Sequence, residues 1–167
     1  PRVQGSMAAA IAGLEREGQP GGGEYKLTVL ATWAGISGGE CSQQPAAPSQ
    51  DSYDVYCYCQ PLAYKPPSPV KVELRGSPRQ NALAKDSSWA AERKPLEQLK
   101  APECDELLLM DPEQRIFEGS QTNFFAVDRA GVLHTAGQGV LEGTVRAIVL
   151  QVCQADGIPV VLEPPSL

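Results

Sequence analysis

The most constraining stretch of this chain is Glu118-Gly119-Ser120-Gln121-Thr122-Asn123-Phe124-Phe125, followed by Leu133-His134-Thr135 and then by Leu141-Glu142-Gly143-Thr144-Val145-Arg146. An acidic residue closes one strand, a second strand follows at once, and a glycine-led turn opens a helix. The first backbone N–H groups of a helix have no partners within it, so a helix start is a natural anion site. A carboxylate and an anion site fixed by neighbouring strands suit a guest that carries one basic ring nitrogen and one phosphate.

These residues resemble the signature of the class IV (fold type IV) aminotransferases, whose pattern is an E-G-x-x-x-N-F/L-F core, an L-x-T strand end and an L-x-G-x-x-R helix start. All three pieces stand in order across the 29 residues from Glu118 to Arg146. There are two departures. The loop from Thr135 to Leu141 is about one residue short of the usual spacing, and Thr144 stands where the family has an aliphatic residue. The closest resemblance is to plant and algal class IV aminotransferase-like proteins with an A-K-D-S-x-W stretch, here Ala84-Lys85-Asp86-Ser87-Ser88-Trp89. The family includes branched-chain and D-amino-acid aminotransferases and aminodeoxychorismate lyases.

The resemblance implies pyridoxal 5'-phosphate as cofactor. It makes Lys85, which lies 33 residues before Glu118, the catalytic Schiff-base lysine. Glu118 would then pair with the pyridine nitrogen and keep the ring electron-accepting. Gly143, Thr144 and Val145 would offer amides to the phosphate, Leu141 would pack on the ring, and Ser120 and Thr122 would border the site. Asn123 reads instead as a turn residue, and Arg146 as a structural ion-pair residue rather than a phosphate ligand. His134, the only histidine, lies inside a strand, and no G-x-S-x-G stretch supports a serine-hydrolase reading.

The implied activity is amino transfer between an amino acid and a 2-oxo acid. The alternatives are a lyase of the aminodeoxychorismate type, or a non-catalytic relative that binds cofactor or partners. The implied fold is an α/β (α+β) domain, a mixed sheet with flanking helices like the large domain of fold type IV enzymes. Class IV enzymes run considerably longer, as two domains. An arginine-bearing N-terminal segment and a Thr/Ser stretch past the last strand find no match here, so the chain reads as truncated at both ends and incomplete. Exposed sheet edges would then favour a homodimer.

Composition narrows the partners. A net charge of −6 over 167 residues argues against a broad nucleic-acid or membrane surface, and the apolar runs are too short to span a bilayer. Five cysteines, odd in number and without a CxxC pair, fit a reducing compartment and offer no zinc spacing, so no metal is expected; the expected location is cytoplasmic, with an organelle as the alternative. Cys57 and Cys59 share a strand face and read as core.

Three segments are expected: residues 1–6 as a cloning scar, 7–52 as a remnant of a small domain, and 53–167 as the cofactor-binding domain. Residues 7–17 favour a helix, 18–23 a glycine-rich break, 25–33 a strand and 34–52 a loop. Residues 53–60 alternate with both faces partly apolar, which predicts a central strand. The proline-rich 61–69 is excluded from a sheet interior. Strands are predicted over 70–74, 106–110, 115–118, 122–128, 132–135 and 158–162. A short helix is predicted over 87–93, stopped by Pro95. A second, from Gly143, would bury Val145, Ile148, Val149, Val152 and Cys153, with Gly157 after its end.

Overall fold

A computed structural model describes residues 2–16, 24–33, 53–62 and 69–166. The expected glycine-rich break at 18–23, the loop at 34–52 and most of the proline-rich segment lie outside the described residues. The chain divides into two compact units, Pro1–Lys65 and Pro66–Leu167.

The first unit holds helix α1 (Arg2–Arg16) and an antiparallel pair, β1 (Tyr25–Trp33) and β2 (Tyr53–Pro61), with Val29 opposite Cys57 and Leu27 opposite Cys59. The helix packs against both strands. It takes in Arg2–Ser6, the segment read above as a scar, because the run has no proline and its four alanines offset the cost of Gly5 and Gly13. On β2 the face of Tyr53, Val55, Cys57 and Cys59 is covered, and Asp54, Tyr56 and Tyr58 face outward. That corrects the reading of β2 as a central strand. Its second face is amphipathic tyrosine, 58% and 62% exposed at Tyr56 and Tyr58, rather than core. The boundary expected before Tyr53 falls between the two strands of this pair.

The second unit contains β3 (Val72–Leu74), α2 (Trp89–Glu92), α3 (Lys94–Gln98), β4 (Glu106–Met110), β5 (Ile116–Gly119), β6 (Ala126–Val127), β7 (Leu133–His134), α4 (Thr144–Ala155) and β8 (Val160–Val161). They form two three-stranded mixed sheets. In one, β4 lies between a parallel β3 and an antiparallel β5; in the other, β7 lies between an antiparallel β6 and a parallel β8. The architecture is therefore α/β, with mixed sheets and flanking helices. Burial of β4 on both faces explains its continuous Leu107-Leu108-Leu109 run, which with Ile116, Leu133, Ala136, Val140 and Cys153 makes the core of this unit.

Two helices depart from expectation. Pro95 does not end a helix; it sits in the first turn of α3, where its missing N–H would have had no partner anyway. On α4 the buried residues are Arg146 and Cys153, and Val145, Ile148 and Val152 are largely exposed. Apolar residues occupy two stripes of that helix, and only one of them turns inward. Gly157, at φ +68°, does follow its end.

The β4–β5 turn is held by a buried carboxylate. Asp111 Oδ1 accepts from the Arg115 amide at 2.8 Å, and Oδ2 accepts from Arg115 Nε at 2.7 Å. Burial favours the protonated acid, but these bonds outweigh it and hold the Asp111 carboxyl below its ordinary value. The stabilisation is thus complete above the unfolded-state pKa of about 3.9 and is lost as pH falls through the lower folded value. Urea unfolding should find Asp111→Asn less stable than the parent at pH 7, with the gap closing below about pH 4. A gap independent of pH would show that charge is not what Asp111 contributes.

Among the described residues no helix is long and apolar enough to cross a membrane, and no group of histidine, cysteine and acidic side chains could hold a metal.

Candidate cofactor site

The site is assembled where β5 ends. Glu118 is the last residue but one of the strand and is 3% exposed. Both of its oxygens have partners: Oε1 accepts from Arg79 Nε at 2.8 Å, and Oε2 accepts from the Leu141 amide at 3.0 Å. The second bond reaches across 23 residues and joins the strand end to the residue just ahead of α4.

The turn after Glu118 is tightly tied. The Gly119 amide donates to Thr122 O at 2.7 Å, the Ser120 amide donates to Leu107 O at 2.8 Å, and Glu118 bridges to Asn123. A Cβ at Gly119 would overlap Thr122 Oγ1, so only glycine lets the two arms of the turn approach this closely. Glu106, at the start of β4, straps the turn from below: it accepts the Ser120 hydroxyl at 2.8 Å and the Thr122 hydroxyl at 3.0 Å. Ser120 and Thr122 therefore border the carboxylate, with their hydroxyl protons directed to Glu106. Residues 122–125, read above as strand, are held by these side-chain bonds, and regular pairing begins only at Ala126.

Asn123 links the same turn to the helix start. Its Nδ2 donates to Leu141 O at 2.7 Å. Its Oδ1 lies so close to Gly143 that a Cβ there would overlap it. Leu141 is thus fixed through both backbone groups, and Gly143 follows two residues later as the N-cap of α4; its amide, expected to face a phosphate, donates instead to Leu141 O at 2.8 Å. No side chain caps this helix and no acidic residue stands in its first turn, so the amides of Thr144, Val145 and Arg146 have no partner within the helix. Thr144 and Val145 are exposed.

Arg146 differs from the expectation of an ion pair. It is 7% exposed, donates from Nη2 to Ala136 O at 2.8 Å, and leaves Nε buried without a hydrogen bond. No carboxylate among the described residues pairs with it. A cation in the first helical turn opposes the helix dipole, and a buried one without a counter-charge costs more. An anion bound at the start of α4 would answer both deficits.

Lys85 is exposed rather than buried, so the protein alone does not desolvate its amine. Its segment is nonetheless anchored on both sides. Arg79, which binds Glu118, also donates from Nη2 to Ala82 O at 3.0 Å, and Trp89 Nε1 donates to Ser120 O at 2.7 Å. Lys85 is three residues from the first anchor and four from the second, and three residues reach at most about 10 Å. Neither Arg79 nor the role of Trp89 is legible in the sequence alone. The tryptophan was visible in the A-K-D-S-x-W stretch, but Arg79 had no local signal, because its partner is 39 residues away.

The sequence of residues 6–166 matches the family model for amino-transferase class IV. The chain belongs to the class IV aminotransferase family. Its structure is similar to an aminotransferase from Brucella abortus bound to PLP (20% identity, TM-score 0.65, covering 96% of this chain and 59% of that one). It is also similar to a fold IV transaminase from Curtobacterium pusillum (21%, TM-score 0.64, 98% and 55%). A third similar structure, provisionally assigned as a 4-amino-4-deoxychorismate lyase, has 27% identity and TM-score 0.53 and covers 64% of this chain and 46% of its own. This class IV chain spans about half the length of the structures it matches. No curated protein sequence matches it significantly.

Proposed function

We propose that this class IV chain binds pyridoxal phosphate and transfers an amino group between an amino acid and a 2-oxo acid, with Lys85 as the covalent anchor. The observation that supports the proposal is the hydrogen bond from the Leu141 amide to Glu118 Oε2, which ties the buried carboxylate to the backbone three residues ahead of the first amide of α4. The residues fit the cofactor at three points. Glu118 would hold the ring nitrogen, since each of its oxygens can accept a further bond after those from Arg79 and Leu141. The amides of Thr144 and Val145, which follow the N-cap Gly143, would take the phosphate, with Arg146 as its buried counter-charge. The Leu141 side chain would pack on the ring.

When bound, pyridoxal phosphate supplies an electron-accepting ring that stabilises negative charge at the α-carbon of an amino acid. The chain's own residues hold it, orient it and move protons: Glu118 keeps a negative charge at the ring nitrogen, and the amine of Lys85 carries the proton to and from the substrate carbon. The exposed apolar stripe Val145, Ile148 and Val152 supports a homodimeric form of the same enzyme. A lyase reaction on the same site is the second reading, favoured by the 27% identity to the structure assigned as a lyase.

The test is an assay of purified protein with pyridoxal phosphate, a panel of amino donors and a 2-oxo acid acceptor. Formation of the new amino acid supports transfer. Release of pyruvate from aminodeoxychorismate, with no transfer, supports the lyase. Neither product from any donor would defeat both.

A further inference from the structure

We propose that Arg79 and Trp89 form a clamp that holds the Lys85 segment against the Glu118 turn, which makes Arg79 a positioning residue for the amine and the carboxylate together. The functional meaning of the clamp rests on the reading above; its existence as a structural device does not.

Five contacts carry the inference. Arg79 uses Nε for Glu118 Oε1 at 2.8 Å and Nη2 for Ala82 O at 3.0 Å, so one planar fork joins β5 to the backbone just before Lys85. Its guanidinium carbon lies 5.3 Å from the centre of the Trp89 ring. The same indole donates to Ser120 O at 2.7 Å, two residues past Glu118. Within the clamped segment the Ala84 amide donates to Asn81 O at 3.2 Å, a turn that immediately precedes the exposed Lys85. The Arg79–Glu118 pair is buried, 9% and 4% exposed at the side chains, so water does not screen it.

The residue types suit the geometry. A guanidinium is flat and carries several donors in a fixed fork, so it can bind a carboxylate, bind a carbonyl and stack on an indole at once. A lysine in its place keeps the charge for Glu118 but cannot do all three. Phenylalanine at position 89 keeps the stacked ring and removes the donor to Ser120. The two substitutions therefore cut different contacts on the two sides of Lys85.

Hydrogen exchange of the peptide covering residues 80–88, without cofactor, reads the clamp directly. Arg79→Lys and Trp89→Phe should each speed exchange there by about tenfold, leaving β4 and β7 protected as in the parent. Unchanged exchange in both variants would overturn the clamp. Arg79→Gln adds the loss of charge beside Glu118; if that variant fails to fold, the other two still decide the question. With pyridoxal phosphate added, attachment at Lys85 should slow by a similar factor in both conservative variants, with the final visible spectrum unchanged. If the parent takes up no cofactor while exchange responds as expected, the clamp stands and the cofactor reading falls.

Discussion

Lys85→Ala should abolish attachment of pyridoxal phosphate and all amino transfer, while leaving stability within about 0.5 kcal/mol of the parent. The combination is unusual for a catalytic residue and follows from where Lys85 lies. It is exposed, on a turn whose anchors are Arg79, Ala82 and Trp89, so deleting its side chain removes no packing and breaks no hydrogen bond of the fold. The chemistry, in contrast, has no substitute: no other lysine lies between residues 72 and 93. Absorbance during a cofactor titration, set beside urea unfolding of the same preparation, checks both halves. A visible cofactor band that persists in Lys85→Ala assigns the anchor elsewhere, and a variant that loses the band only because it unfolds would contradict the stability half.

The second large effect is expected at Glu118, with the opposite pattern. Its carboxylate is buried, paired with Arg79 and bonded to the Leu141 amide. Glu118→Ala leaves a buried guanidinium uncompensated, a loss of about 3–5 kcal/mol, which is a large share of the roughly 5–15 kcal/mol that holds an ordinary domain together. The double variant Glu118→Leu with Arg79→Met replaces both charges by apolar groups and should recover most of that stability. It should not recover the cofactor, because the charge proposed to face the ring nitrogen is gone; a lost charge-assisted contact of about 1.5–3 kcal/mol weakens binding by roughly 10- to 150-fold. Stability by urea unfolding and affinity by cofactor titration should therefore separate in the double variant. Recovery of both together would mean that Glu118 serves only the fold.

The parts of this site that were legible in the sequence are those written in adjacent residues. The run from Glu118 to Asn123 declares a strand end and a turn, and Leu141 to Arg146 declares a glycine-capped helix start. The structure brings the two together through the Glu118–Leu141 and Asn123–Leu141 bonds. What was not legible depends on partners far along the chain. Arg79 looks like one more arginine in a polar loop until folding sets it against Glu118. Glu106 reads as a strand-end acid until Ser120 and Thr122 turn their hydroxyls to it. Arg146 reads as an ion-pair residue because an arginine on a helix can reach an acidic side chain one turn away, yet this one is buried against Ala136 O with Nε unpaired. Periodicity also failed where a helix is apolar on two stripes: nothing in the sequence of α4 says which of Val145 and Cys153 faces inward. At Pro95 the error was one of position, since the same residue that stops a helix from within begins one at its first turn.

The account holds that one exposed amine, one buried carboxylate and one uncapped helix start surround the same guest. Borohydride reduction of the protein mixed with pyridoxal phosphate, followed by peptide mapping, tests this most directly. The label should fall on the peptide that contains Lys85, and excess inorganic phosphate, competing for the start of α4, should suppress it. Label spread over the surface lysines, with no preference for Lys85 and no effect of phosphate, would contradict the account.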